Sequence, residues 1–197
     1  LSTDTVTNPP NWKYQTDDVL LLPYASENFP DSLLPELYMM CKRDKTIGLI
    51  FPGQPKVGMG EFCAALWDKP LLIGISKEEK KILGFAWLHS VEGTENARKG
   101  ALGFACFREG WGRRRNPKMG QKIRELTRLA LGWWFCELGV QILYANTLAT
   151  NRLTQAFVSE FGFNRIGTLP KFFSRDGALV DSVLFCLDRD AFMGGAG

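Results

Sequence analysis

The stretch Phe104 to Gly139, FACFREGWGRRRNPKMGQKIRELTRLALGWWFCELG, decides the fold. It reads as a strand, then a basic loop carrying glycines, then a long amphipathic helix. Asn116 and Pro117 suit a helix start, Asn as N-cap and Pro at the first helical position. From there Met119, Ile123, Leu126, Ala130, Leu131, Trp134 and Leu138 recur at steps that stack them on one face. Lys122, Arg124, Glu125 and Arg128 are expected to look outward, and Gly139 to stop the helix. A helix over residues 117–138 would run roughly 33 Å at about 1.5 Å per residue.

The start of that helix favours an anion. The amides of Lys118, Met119 and Gly120 lack intrahelical partners, and the helix dipole adds positive potential there. Arg113, Arg114, Arg115 and Lys118 crowd the same end, and Gly120 lets a ligand approach the backbone. Such a place suits a phosphate or pyrophosphate; a solvated basic loop capping an ordinary core helix is the alternative.

Outside this stretch the chain is ordinary in composition. Its 197 residues fit a single domain, with a loose arm at residues 1–11, the domain at 12–192 and a tail at 193–197. The formal charge of +3 is too small for a dedicated nucleic-acid binder. Five scattered cysteines, with no Cys-x-x-Cys pair, read as reduced thiols of a cytoplasmic protein. No run suggests a membrane span. A single histidine and no clustered cysteines argue against a zinc site, and no nucleotide-binding glycine motif is present.

Taken in order, the pattern predicts a strand at 19–23, a helix at 32–41 and a Gly/Pro-rich loop over 46–58 that borders an entrance or merely connects. A short helix follows at 60–67. Strands at 70–76, 82–91 and 101–107 are joined by charged turns, the first of them Lys77 to Lys81, and form an antiparallel meander. The long helix leads to a strand at 142–147, which makes a parallel crossover. A helix over 151–161 and a hairpin of 165–169 with 179–187 complete a mixed α+β sheet.

Several segments now resemble the GNAT superfamily of acyl-CoA-dependent N-acyltransferases. Arg115-Asn116-Pro117-Lys118-Met119-Gly120 is similar to its Arg/Gln-x-x-Gly-x-Gly/Ala loop, with Lys118 where the first Gly is usual. Asn151-Arg152-Leu153-Thr154, with Phe161-Gly162-Phe163, looks like its Asn-x-x-Ser/Ala…Gly-Phe helix. Residues Phe163 to Phe185 resemble the closing hairpin of the ribosomal-protein N-terminal acetyltransferase branch. The resemblance implies a GNAT-like sheet with a central strand–long helix–strand crossover, opened as a V between residues 101–107 and 142–147. It implies acetyl-CoA held by Arg113 to Arg115 and the amides of Lys118, Met119 and Gly120. Ala105, Cys106 and Phe107 would lie along the pantetheine arm, with Asn151 and Phe157 on its other side.

The activity implied is acetyl transfer to a primary amine, on a protein N-terminus or a small molecule, by direct attack. A homodimer is compatible with this reading. Many relatives place a Tyr seven residues after the Asn; here Val158 stands there, which keeps a non-catalytic binding or assembly module as the alternative. Candidates for catalysis are His89, as base or water relay, and Glu109. Cys106 reads as core rather than as an acylated nucleophile.

Overall fold

A computed structural model describes residues 14–24, 29–51, 57–94, 97–107, 117–175 and 177–195. The basic loop, with Glu109, Arg113, Arg114, Arg115 and the expected N-cap Asn116, lies outside the described residues, as does the arm at 1–11.

Seven strands of the described chain form one sheet in the order β1-β2-β3-β4-β5-β7-β6. They are β1 (Val19–Pro23), β2 (Leu71–Ser76), β3 (Lys81–Glu92), β4 (Arg98–Cys106), β5 (Val140–Leu148), β6 (Asn164–Arg175) and β7 (Ala178–Asp188). Pairing is antiparallel throughout except between β4 and β5, the parallel pair expected from the crossover. The helices are α1 (Leu33–Arg43), α2 (Ile47–Ile50), α3 (Met59–Leu66), α4 (Pro117–Cys136), α5 (Arg152–Glu160) and α6 (Arg189–Gly194).

Alternation along the central strands sorts the core into two layers. On β2 and β3, Ile73, Phe85 and Trp87 point to a cluster with Leu34 and Leu37 of α1 and Phe62 and Leu66 of α3. Leu72, Ala86 and Leu88 point the other way, to Ile123, Leu126, Ala130 and Trp134 of α4. The sheet is thus covered on both faces, and Leu83, Phe85, Trp87 and Leu88 of β3 are all buried.

Two expectations need correcting. Lys122 does not look outward: it is 3% exposed. Its Nζ donates to Glu79 Oε2 at 2.7 Å, Glu78 Oε2 at 3.0 Å and Ser76 Oγ at 3.1 Å. The turn after β2 is therefore tied to α4 rather than merely solvated, because an ammonium placed against the sheet must carry its counter-ions with it. The 46–58 stretch contains α2, a single turn too short to show periodicity. At the C-terminal end α6 runs to Gly194 behind Asp188, whose carboxylate accepts from Asp190 N at 2.8 Å. The long helix itself ends at Cys136, and Gly139 follows with φ 65°, a left-handed value that favours glycine.

Candidate functional site

Strands β4 and β5 pair only from Arg98↔Val140 to Leu102↔Ala145. Beyond that, β4 continues to Cys106 along β3, while β5 continues to Leu148 along β7. The two strands thus keep their outer neighbours and leave each other. The wedge between them opens into a cavity of about 640 Å³, within the range of small-molecule sites.

The cavity passes through the sheet. On the α4 face it meets Phe104, Thr127, Phe157 and Val158; on the α1–α2 face it meets Thr46, Ile50, Phe51 and Trp87. Its floor is β4 itself, from Ala101 to Cys106. Gly103 is required there: a Cβ at this position would sit 2.2 Å from the Trp87 indole, so only glycine lets that ring lie over the strand.

A β-bulge positions the histidine. The β3–β4 register shifts between Leu88 and Ser90, which leaves His89 as the extra residue. A bulge re-aims its side chain, and here His89 joins Trp87 on the cavity wall. Trp87 Nε1 donates to His89 Nδ1 at 3.2 Å, the rings crossing edge-on with centroids 5.1 Å apart. Although the imidazole reaches solvent, desolvation by its apolar surroundings, and secondarily the Lys69 charge, hold its pKa below the usual value of 6.5. With Nδ1 accepting from tryptophan, the neutral ring carries its proton on Nε2.

Of the residues expected at a cofactor site, Ala105, Cys106, Asn151 and Phe157 line this cavity. Phe157 stacks on Phe104, centroids 5.4 Å apart and planes 15° from parallel. Asn151 caps α5, its Oδ1 accepting from Thr154 N at 3.2 Å. Phe107 stands just past the strand, donating its amide to Leu83 O at 3.1 Å, and does not line the cavity. Lys118, Met119 and Gly120 form the first turn of α4, with Lys118 exposed and Met119 buried; they too lie off the cavity wall. Cys106 is buried, and burial pushes its thiol well above the ordinary range, so it stays protonated.

Two polar residues on the wall carry no motif. Tyr144 of β5 pairs across with Ala101 and lines the cavity. Asp44, at the end of α1, is the one carboxylate among the described lining residues. A strand tyrosine and an acid beside three bases give no sequence signal; only the folded wall brings them together.

No family model matches the chain, and no curated protein matches it by sequence. Solved structures do share its fold. The ribosomal-protein-S5-alanine acetyltransferase from Vibrio fischeri superposes with a TM-score of 0.67 at 17% identity, covering 89% of this chain and 96% of its own. Spermidine N-acetyltransferase from Vibrio cholerae, solved in complex with CoA and spermine, gives 0.70 at 15% identity, covering 90% and 99%. The architecture is therefore the GNAT-like acetyltransferase fold expected from the sequence, a mostly antiparallel α+β sheet parted at its parallel pair.

Proposed function

We propose that the chain is an acetyl-CoA-dependent N-acetyltransferase that moves an acetyl group to a primary amine by direct attack. The observation that carries this is the parting of β4 from β5 after Leu102 and Ala145, which opens a through-sheet cavity. A slender, amide-bearing chain fits between two strand edges as a short strand would, and leaves an end in each layer. Fold neighbours that are acetyltransferases, one holding CoA, support the choice of ligand.

Acetyl-CoA supplies, when bound, an activated acetyl group on a thioester. The residues of this chain fit it: Ala105 and Cys106 along the strand edge, Asn151 and Phe157 opposite. Arg113, Arg114, Arg115 and the amides of Lys118, Met119 and Gly120 suit the phosphates. Its protonated, buried thiol removes Cys106 as a nucleophile, which leaves the amine to attack directly. His89 acts as a relay: its Nε2–H orients a water or the amine, while Nδ1 is engaged by Trp87. Tyr144 lines the same cavity and is the candidate donor to the departing thiolate. Glu109 remains a candidate for substrate contact on the basis of its place after β4.

A binding module without turnover is the second reading, favoured by Val158, which packs into the α4 core where relatives carry a phenol. Calorimetry with acetyl-CoA, followed by thiol release with a panel of peptides and amines, decides. Micromolar binding with thiol release is expected; no binding sinks the enzyme, and binding without release across the panel favours the module.

A further inference from the structure

We propose that the cavity takes acyl groups longer than acetyl, and that the Trp134 indole N–H receives a neutral oxygen carried on the acyl chain. This rests on the reading of the cavity as an acyl-CoA site. Trp134 is 1% exposed and lines the cavity, yet its Nε1–H meets no acceptor. Among the described residues it is the only buried side-chain nitrogen or oxygen in that state. A buried donor without a partner is destabilising, and a phenylalanine would fill much of the same space without that penalty. Thr127 of the same helix shows the contrast. It too lines the cavity, but it donates its hydroxyl proton to Ile123 O at 2.8 Å. The packing of the chain gives the indole N–H no use; an acceptor entering the cavity does.

The wall around Trp134 sets the size and charge of the acyl group. The cavity does not stop at the gap between β4 and β5. Under α4 it is lined by Leu72 of β2, Ala86 of β3, and Leu126, Ala130 and Leu131 of the helix. All five are buried members of the apolar layer beneath α4. Ala86 and Ala130 contribute only methyls, so the wall is widest where the two stand. The charged residues among the described lining, Asp44 and Lys45, belong to the end of α1 on the other face of the sheet. A carboxylate under α4 would therefore be a buried charge without a partner, which excludes dicarboxylic acyl groups. What fits is an uncharged acyl chain of about four carbons bearing a hydroxyl or keto oxygen. Transfer is otherwise unchanged: the amine nitrogen bonds to the thioester carbon, the C–S bond breaks, and the amine gives up one proton as the thiolate takes one.

The test is calorimetry without amine, comparing acetyl-CoA, butyryl-CoA and each enantiomer of β-hydroxybutyryl-CoA on the native chain, Trp134→Phe and Ala130→Leu. Thermal melts establish that the variants fold. In the native chain butyryl-CoA should bind within about tenfold of acetyl-CoA, and one hydroxybutyryl enantiomer about fivefold more tightly than butyryl-CoA. Trp134→Phe should bring that hydroxyl preference to within about twofold. Ala130→Leu should weaken the longer thioesters about tenfold relative to acetyl-CoA; if it does not fold, Trp134→Phe carries the test. Binding of acetyl-CoA with a loss of more than about tenfold on butyryl-CoA overturns this proposal and leaves the acetyl-transfer reading intact. So does the absence of a hydroxyl preference, or one that survives in Trp134→Phe. Binding of no thioester overturns both.

Discussion

Trp87 donates its indole N–H to His89 Nδ1 across the bulge of β3, and this one bond fixes the tautomer of the chain's single histidine. Protonating Nδ1 would set two donors against each other. Trp87→Phe removes the donor, and the His89 pKa should move part way up toward 6.5, followed by an NMR titration with only one imidazole to assign. The variant should also lose about 1–3 kcal/mol, since the indole is buried. In the native chain the depressed value makes His89 stabilising in its neutral form. That contribution is complete above about 6.5. It erodes as pH falls below the unfolded value and is gone beneath the lower folded one.

The Lys122 cluster should respond asymmetrically. Lys122→Met leaves Glu78 and Glu79, 67% and 34% exposed, free to hydrate, and should change stability by no more than about 1 kcal/mol. The double variant Glu78→Gln, Glu79→Gln leaves a buried ammonium without counter-ions and should cost about 1–3 kcal/mol. Urea denaturation measures both. The Lys122 hydrogen bond lowers the Glu79 pKa, so this contribution is full above about 4.5 and is lost as acid passes the depressed folded value. At the other end Lys122 is raised from 10.5, chiefly by Glu79, and its share is lost only as pH climbs through that higher value.

Gly103→Ala should cost about 1–3 kcal/mol, because the new methyl meets a buried indole 2.2 Å away. The same push displaces Trp87 from His89, so the histidine titration should shift together with the melt. A stable variant with an unmoved histidine would show that the strand yields instead of the ring.

Tyr144→Phe should lower kcat by about a hundredfold while leaving KM near its native value, read by thiol release at saturating acetyl-CoA. An unchanged kcat would remove the phenol from the chemistry and assign the proton to water.

Charge reversal at the basic end of α4 tests the phosphate site. Arg115→Glu and Lys118→Glu should each weaken acetyl-CoA binding about tenfold at low salt, with the loss shrinking as salt rises. Native-like affinity in both would place the phosphates elsewhere.

The sequence was a good guide wherever local pattern and pairing agree. The apolar steps of α4, the presence of α5, the antiparallel meander and the parallel crossover could all be read from spacing and breakers. It failed where a residue's surroundings come from distant elements. Lys122 sits among polar residues along α4, and only the turn after β2 makes it a buried cation. α2 spans one turn, below the length at which periodicity speaks. His89 was visible as a lone imidazole, but its tautomer depends on a bulge in the register with β4. Asp44 resembles a solvated helix end until α1 is set beside the cavity.

The parting of β4 from β5 also divides the molecule mechanically. On one side lie four strands, β1 to β4, and on the other three, β5 to β7, joined in the sheet by five parallel pairs at one end and bridged by α4. The rest of that boundary is a seam. The empty protein should therefore loosen first along it, with backbone amides of residues 103–106 and 146–148 exchanging with solvent faster than their neighbours. A ligand lying in the wedge would rivet the two half-sheets together, raising Tm and slowing exchange on both sides of the seam at once.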